Sequence, residues 1–224
     1  MDILILICGR AGSERLPDKN IRPFRGSSLI EIACNQGGRV ANKMSELGHA
    51  CKVVLSSDLN VQTVRGVEYV WRPARLANST ASLADVVLHA VKSIGLPDCI
   101  VCLLQPTSPI RKDIDIVQGI ESVIADDAVT VISVSKPLQA LQDIICLDGS
   151  LITTSSNEKI ENSLFINGCF YVFKSSVLKG RNTIVSDSSP VIWQYTDAVC
   201  GIDIDYQFQF DLAEKMYDEK FCFG

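Results

Sequence analysis

Residues 3–8 read ILILIC, an unbroken apolar run between Asp2 and Gly9-Arg10. So short a run without polar alternation suits a strand covered on both faces, as in a parallel sheet. Comparable runs recur at Lys52–Ser57, Ile100–Leu104, Val129–Val134 and Phe170–Phe173. Between them, amphipathic stretches predict helices over Ser28–Leu47, Leu83–Ile94, Ile114–Ile124 and Phe208–Asp218. The alternation predicts an α/β fold: a mainly parallel twisted sheet with helices on both faces. The 224 residues suffice for one domain, residues 1–224. Residues 136–162 break the rhythm. There Asp148-Gly149 separates DIICL from SLITT, a hairpin signal. A hairpin leaving a doubly covered sheet must bury its apolar side chains elsewhere, and a second subunit is a plausible place, so this excursion is expected to make a homodimer.

The net charge of −5 argues against a general nucleic-acid binder. No apolar run approaches the roughly 20 residues that span a bilayer. ILILIC is too short for a signal-peptide core and follows Asp2 rather than a basic segment. A cytoplasmic protein without membrane insertion is expected. The nine cysteines are scattered from Cys8 to Cys222, and an odd number without a secretion signal reads as reduced thiols. Cys99 and Cys102 lie three apart on a predicted strand, hence on opposite faces, and form no metal or redox clip. His49 and His89 match no metal or triad spacing.

The loop after the first strand, GRAGSERLPDKN (residues 9–20), stands where open α/β sheets bind ligands. Arg10, Arg15, Lys19, Arg22 and Arg25 place five cations in sixteen residues of an acidic chain, where an even spread of its 21 gives about 1.5. Glycines let backbone N–H groups approach an anion. Arg10 and Lys19 read as anion ligands; Arg22 and Arg25 read as solvated. Neither GxxxxGK[ST] nor GxGxxG occurs, which removes the P-loop and disfavours a nicotinamide-dependent oxidoreductase.

GRAGSERLPDKN resembles the opening signature of the sugar-acid cytidylyltransferases, A-R-x-G-S-x-R-L-P-x-K-N, with Gly9 for alanine, a swap expected to cost little sterically. Four further segments keep family order. WRPARLANSTAS (71–82) is similar to R-P-x-E-L-A-x-D-x-A-S, and LLQPTSPIR (103–111) to LLQPTSPLR. NGCFYVF (167–173) resembles N-G-x-x-Y, and GIDIDYQFQFDLAE (201–214) resembles a D-I-D segment followed by a helix ending A-E. The resemblance, with CMP-N-acetylneuraminate synthetase as the nearest type, implies a Rossmann-like nucleotidyltransferase fold. It also implies an enzyme that joins CTP to a 2-keto-3-deoxy sugar acid, releasing pyrophosphate.

That likeness assigns roles. Arg10, Ala11, Gly12, Ser13, Arg15 and Lys19 bind the triphosphate, with Arg10 and Lys19 stabilising departing pyrophosphate. Arg72, Ala81 and Ser82 hold base and ribose, although Ser82 also reads as a helix N-cap. Gln105, Arg111, Asn167 and Gly168 face the sugar acid; Arg111 also reads as solvated, and Asn167-Gly168 as a plain turn. Asp203 and Asp205, alternate residues of an expected strand, bind Mg²⁺ through hard oxygens on one face, or else cap the last helix.

The chain departs from the family pattern in places. Arg75 replaces glutamate, Ser79 replaces aspartate, and Gln209 stands where many members have an acid. SSNEKIENSLFI replaces a Q-x-L-P-like segment with basic residues, leaving Phe165 near a basic position and Lys159 or Arg111 to compensate. The nucleotide half reads as intact and the sugar half as altered. The alternatives are a cytidylyltransferase for the shorter acid KDO and a catalytically silent nucleotide-binding protein.

Overall fold

The computed structural model describes residues 1–61, 64–125, 128–137, 164–178, 184 and 191–223. The expected hairpin, with nearly all of 136–162, lies outside the described residues, as does Lys159. The elements run β1 (Asp2–Gly9), β2 (Pro23–Phe24), β3 (Ser27–Ser28), α1 (Leu29–Glu46), β4 (Cys51–Ser57) and β5 (Val67–Trp71). They continue with α2 (Leu83–Ser93), β6 (Cys99–Leu104), α3 (Asp113–Ile124), β7 (Thr130–Ser135) and β8 (Phe165–Lys174). The chain ends with β9 (Val191–Tyr195), α4 (Gln207–Met216) and α5 (Glu219–Phe223).

Among the described residues, seven strands form one sheet in the order β5-β4-β1-β6-β8-β7-β9, in which β8 alone is antiparallel to its neighbours. The mainly parallel sheet predicted from the apolar runs is therefore present. Along β1, Ile3, Ile5 and Ile7 face one core with residues of α1 and α3. Leu4 and Leu6 face a second core with residues of α2. The same alternation sends Cys102 to the first core and Cys99 to the second, so the two thiols do lie on opposite faces. Ser28 caps α1, accepting from Glu31 N at 3.3 Å, and Ser82 caps α2, accepting from Asp85 N at 3.1 Å. Each cap is worth about 1 kcal/mol.

A third, smaller core positions the site. Leu16 from the cationic loop, Phe24 from β2, Ile202 and Ile204, and Phe210 and Tyr217 pack together, with Phe24 meeting Phe210 edge-on at 5.3 Å. This cluster fastens the loop after β1 to the acidic segment near the C-terminus, nearly 190 residues later. Between Ile132↔Tyr171 and Val134↔Ile166, β8 spends more residues than β7, a bulge that carries Asn167 and Gly168.

Candidate active site

The crossover through α1 leaves β1 over one sheet face, and α2 reaches β6 over the other. The crevice where the order reverses opens at the carboxyl ends of β1 and β6. A cleft of about 450 Å³ lies there. Arg10, Ser13, Arg15 and Lys19 line one wall, Arg72, Asn78, Ser79 and Ala81 another, and Gln105, Thr107 and Asp205 the rest.

The cationic loop is held from both sides. Ala11 N donates to Asp58 Oδ1 at 2.8 Å, and Asn20 Nδ2 donates to the Arg10 carbonyl at 2.8 Å. Arg10 curls over Gly12, donating to its carbonyl at 2.7 Å. Lys19 is buried and donates to the Ile204 carbonyl and to Asp205 Oδ1, the latter at 3.0 Å. Arg15 reaches Asp205 Oδ2 at 2.9 Å and lies 5.3 Å from the Tyr206 ring centre. Tyr206's side chain, followed by Asp205, holds the Arg15 guanidinium still more firmly in its cationic form. Arg22 and Arg25 lie outside the cleft; Arg22, half-buried, donates to Gln207 Oε1 at 2.7 Å and lies 5.5 Å from the Phe210 ring centre.

Asp203 and Asp205 are not on a sheet strand, contrary to expectation. They lie in an extended segment whose alternation does the same work: Ile202 and Ile204 enter the third core, and the two aspartates turn the other way. The Ile204 N–H donates to the Thr107 carbonyl at 2.8 Å, pinning the segment against the turn after β6. Gln209, which replaces a family acid, accepts from Asp205 N at 2.8 Å and Tyr206 N at 2.9 Å. It therefore does the capping that the aspartates were alternatively expected to do. Burial pushes the Asp203 carboxyl above its ordinary value, opposed by the Thr107 hydrogen bond. Its Oδ1 is buried without a hydrogen-bond partner, so a hard cation has a free carboxylate oxygen to bind. Among the described residues no cluster of three His, Cys, Asp or Glu forms, so phosphate and water would complete such a coordination sphere.

On the wall formed after β5, Arg72 is buried, with Nη2 donating to the Ser56 carbonyl at 2.7 Å. Burial pushes the neighbouring Cys8 thiol up to about 11, against Arg72's charge, so this cleft cysteine stays protonated. Asn78 shapes the next turn by accepting from Thr80 N at 2.9 Å and Ala81 N at 2.8 Å. Sequence reasoning missed Asn20, Asp58, Asn78 and Thr107. An Asn two residues before Thr is a turn signal that marks Asn78.

The sugar side differs most from expectation. Gln105 lines the cleft, and Gly168 has φ +72° with its Cβ position 3.1 Å from Gln105 Oε1. Asn167 is buried outside the cleft lining, with Nδ2 donating to Thr196 Oγ1 at 2.8 Å and Oδ1 accepting from Cys169 N at 3.2 Å. Arg111 is neither solvated nor in the cleft: it is 1 % exposed. Its Nε donates to Gln36 Oε1 at 2.8 Å, and its Nη1 donates to the carbonyls of Gln105 at 2.8 Å and Cys169 at 3.2 Å. Gly9 is also less free than its exchange with alanine implies, because a Cβ there would lie 2.7 Å from Ile30 Cδ1.

Seven strands in this order, with cations gathered where the order reverses and an acid pair facing them, are the build of an α/β nucleotidyltransferase. The family model described as cytidylyltransferase matches residues 4–161, and the chain belongs to that family. It is 27 % identical to the CMP-N,N'-diacetyllegionaminic acid synthase of Legionella pneumophila, over 97 % of each chain. It is 22 % identical to the post-translational flagellin modification protein B of Campylobacter coli, over 98 % of this chain and 96 % of that one. Among solved structures, a CMP:2-keto-3-deoxy-manno-octonic acid synthetase complexed with CTP superposes with a TM-score of 0.68 at 16 % identity, covering 96 % and 98 % of the two chains. The 4-diphosphocytidyl-2C-methyl-D-erythritol synthase of Anaerococcus prevotii gives 0.57 at 13 % identity, covering 95 % and 96 %.

Proposed function

We propose that this enzyme transfers CMP from CTP to the anomeric hydroxyl of a 2-keto-3-deoxy sugar acid of the nonulosonic type. The observation that carries this reading is the convergence of Arg10, Arg15 and Lys19 on the cleft that Asp205 and Gln105 share. End-to-end similarity to a CMP-N,N'-diacetyllegionaminic acid synthase supports the sugar class. The hydroxyl oxygen bonds to the α-phosphorus and gives up its proton to solvent, the bond to the bridging oxygen breaks, and pyrophosphate leaves with the electron pair. Arg10, Arg15 and Lys19, with Ser13 and the N–H groups of Ala11 and Gly12, take up charge on the phosphates. Arg72, Ala81 and Ser82 hold the base and ribose; Gln105, beside Gly168, orients the sugar acid. Asp203 and Asp205 hold Mg²⁺, which when bound neutralises phosphate charge.

Arg111 and Asn167 serve the sugar side by fixing backbone rather than by touching substrate. We further read residues 1–224 as one cytoplasmic domain, with 136–162 making a homodimer. Exposed Trp193 and Tyr195 on the outermost strand β9 support such a contact. No helix of the described residues is long and apolar enough to cross a membrane.

The test is pyrophosphate release with CTP, Mg²⁺ and a panel of keto-deoxy sugar acids, with ATP, GTP and UTP as controls. Release with CTP and one nonulosonic acid is expected. Release with KDO alone would move the substrate to the shorter acid, a reading that also fits the shared fold. CTP binding with silence across the panel would favour the catalytically silent alternative, against which stands Gln209's hold on the acid segment.

A further inference from the structure

Both oxygens of Asp205 are occupied by the cations expected to hold phosphate. Arg15 takes Oδ2 at 2.9 Å and Lys19 takes Oδ1 at 3.0 Å. The backbone at Asp205 is fixed, its own N–H bound to Gln209 and the preceding carbonyl accepting from Lys19, so only the carboxylate itself turns when it leaves these cations. Lys19 is equally confined, its side chain 11 % exposed, whereas the Arg15 side chain is 57 % exposed and free to leave. In the protein without ligands, Asp205 therefore stands where a phosphate oxygen belongs.

Two ligands compete for this arrangement from opposite sides. A divalent cation must draw Asp205 away from Arg15 and Lys19, leaving two positive side chains without an anion beside a new double charge. A metal-free triphosphate must displace Asp205 from the same cations, leaving its carboxylate and that of Asp203 facing several negative oxygens. Arriving together, they exchange partners and leave neither the two cations nor the carboxylate unpaired: phosphate replaces carboxylate on Arg15 and Lys19, and the metal replaces those side chains on Asp205. We propose that the Arg15–Asp205–Lys19 contact is a latch that makes nucleotide and divalent-metal binding depend on each other. This rests on the cytidylyltransferase reading of the cleft. The coupling is reciprocal, so each ligand strengthens the other by the same factor, about 5- to 150-fold for couplings of ordinary size.

Calorimetric titration of CTP, and separately of inorganic pyrophosphate, into wild type and Asp205→Asn, each in EDTA and in Mg²⁺, tests the latch. The wild type should bind both anions at least about fivefold more tightly with Mg²⁺. Asp205→Asn should bind metal-free CTP and pyrophosphate more tightly than wild type, by about the same factor, and lose most of the Mg²⁺ gain. A carboxylate with a merely structural role predicts weaker or unchanged metal-free binding, and that result would overturn the proposal. A second arm avoids dependence on one variant. Nucleotide-free Arg15→Gln should bind Mn²⁺, followed by electron paramagnetic resonance, more tightly than wild type; unchanged or weaker affinity would also overturn the latch. Failure of wild type to bind CTP even with Mg²⁺ would instead refute the cytidylyltransferase reading, and the latch with it.

Discussion

Gly168→Ala separates the backbone demands of the sugar side from its chemistry. Gly168 sits in the β8 bulge at φ +72°, a conformation that costs an L-residue about 1–2 kcal/mol. For a domain of this size that lowers Tm by about 2–8 °C. The new methyl would also stand 3.1 Å from Gln105 Oε1 and 3.5 Å from Ser108 Oγ. Ser108 is fully buried, so the Gln105 amide, at the end of a flexible side chain, is what yields. Displacing a substrate-orienting group by a few tenths of an ångström should lower kcat/KM for the sugar acid about tenfold, given that a full ångström costs about a hundredfold. Arg10, Lys19 and Arg72 do not approach the added atom, so CTP affinity should hold. Differential scanning calorimetry, sugar-dependent pyrophosphate release and CTP titration measure the three quantities. An unchanged Tm would refute the strain argument. A lowered Tm with unchanged sugar kcat/KM would remove Gln105 from the sugar side.

Lys19→Ala should weaken Mg²⁺-dependent CTP binding roughly tenfold to a hundredfold, the worth of one charged hydrogen bond, as read by calorimetry. Asp203→Asn should cut turnover at least about a hundredfold, the usual cost of losing one charge-organising group, in a pyrophosphate-release assay. The same variant should be more stable than wild type at pH 7 in EDTA, because burial raises the folded Asp203 pKa and so penalises its charged form. That advantage should shrink as pH falls through the raised folded value and vanish below the ordinary carboxylate value of 3.8, where both states become protonated; a constant difference across the range would contradict it. Gly9→Ala should lower stability by about 1–3 kcal/mol as Ile30 is forced aside, and a neutral result by denaturant titration would show that Ile30 rotates away freely.

The parts of the fold legible in the sequence are those with a local cause. Continuous apolar runs announced β1, β4, β6 and β7, and three-to-four spacing announced α1 and α2 to within a residue or two, with Ser82 marking the start of α2. β5, VEYVW, escaped because charged Glu68 interrupts a run of only five residues, and β9, VIWQY, because polar Gln194 does the same. The bulge in β8 escaped because Asn-Gly signals a turn wherever the surrounding strand is not yet known. In the candidate site, the phosphate loop was legible because its glycines and cations are consecutive. The acid pair was legible as a facing pair but not as part of a latch, since its partners lie nearly 190 residues away.

Arg111 shows why the sugar side resists reading from sequence. In LLQPTSPIR it follows a proline-rich turn, where an arginine is ordinarily exposed. Here it is buried, with no carboxylate on its guanidinium among the described residues, and burial lowers its pKa. A cation in that position has to collect neutral acceptors, and those within reach are the carbonyls of Gln105 and Cys169 and the amide oxygen of Gln36. Gln36 passes the charge on, donating to Asp113 Oδ1 at 2.9 Å, and Asp113 pairs with Arg39 at 2.8 Å. The network thus locks the end of β6 to the bulge of β8 through α1 and α3. Gln105 and Gly168 therefore owe their spacing to a residue buried away from the cleft lining, so within LLQPTSPIR Arg111 sets the backbone frame while Gln105 lines the cavity.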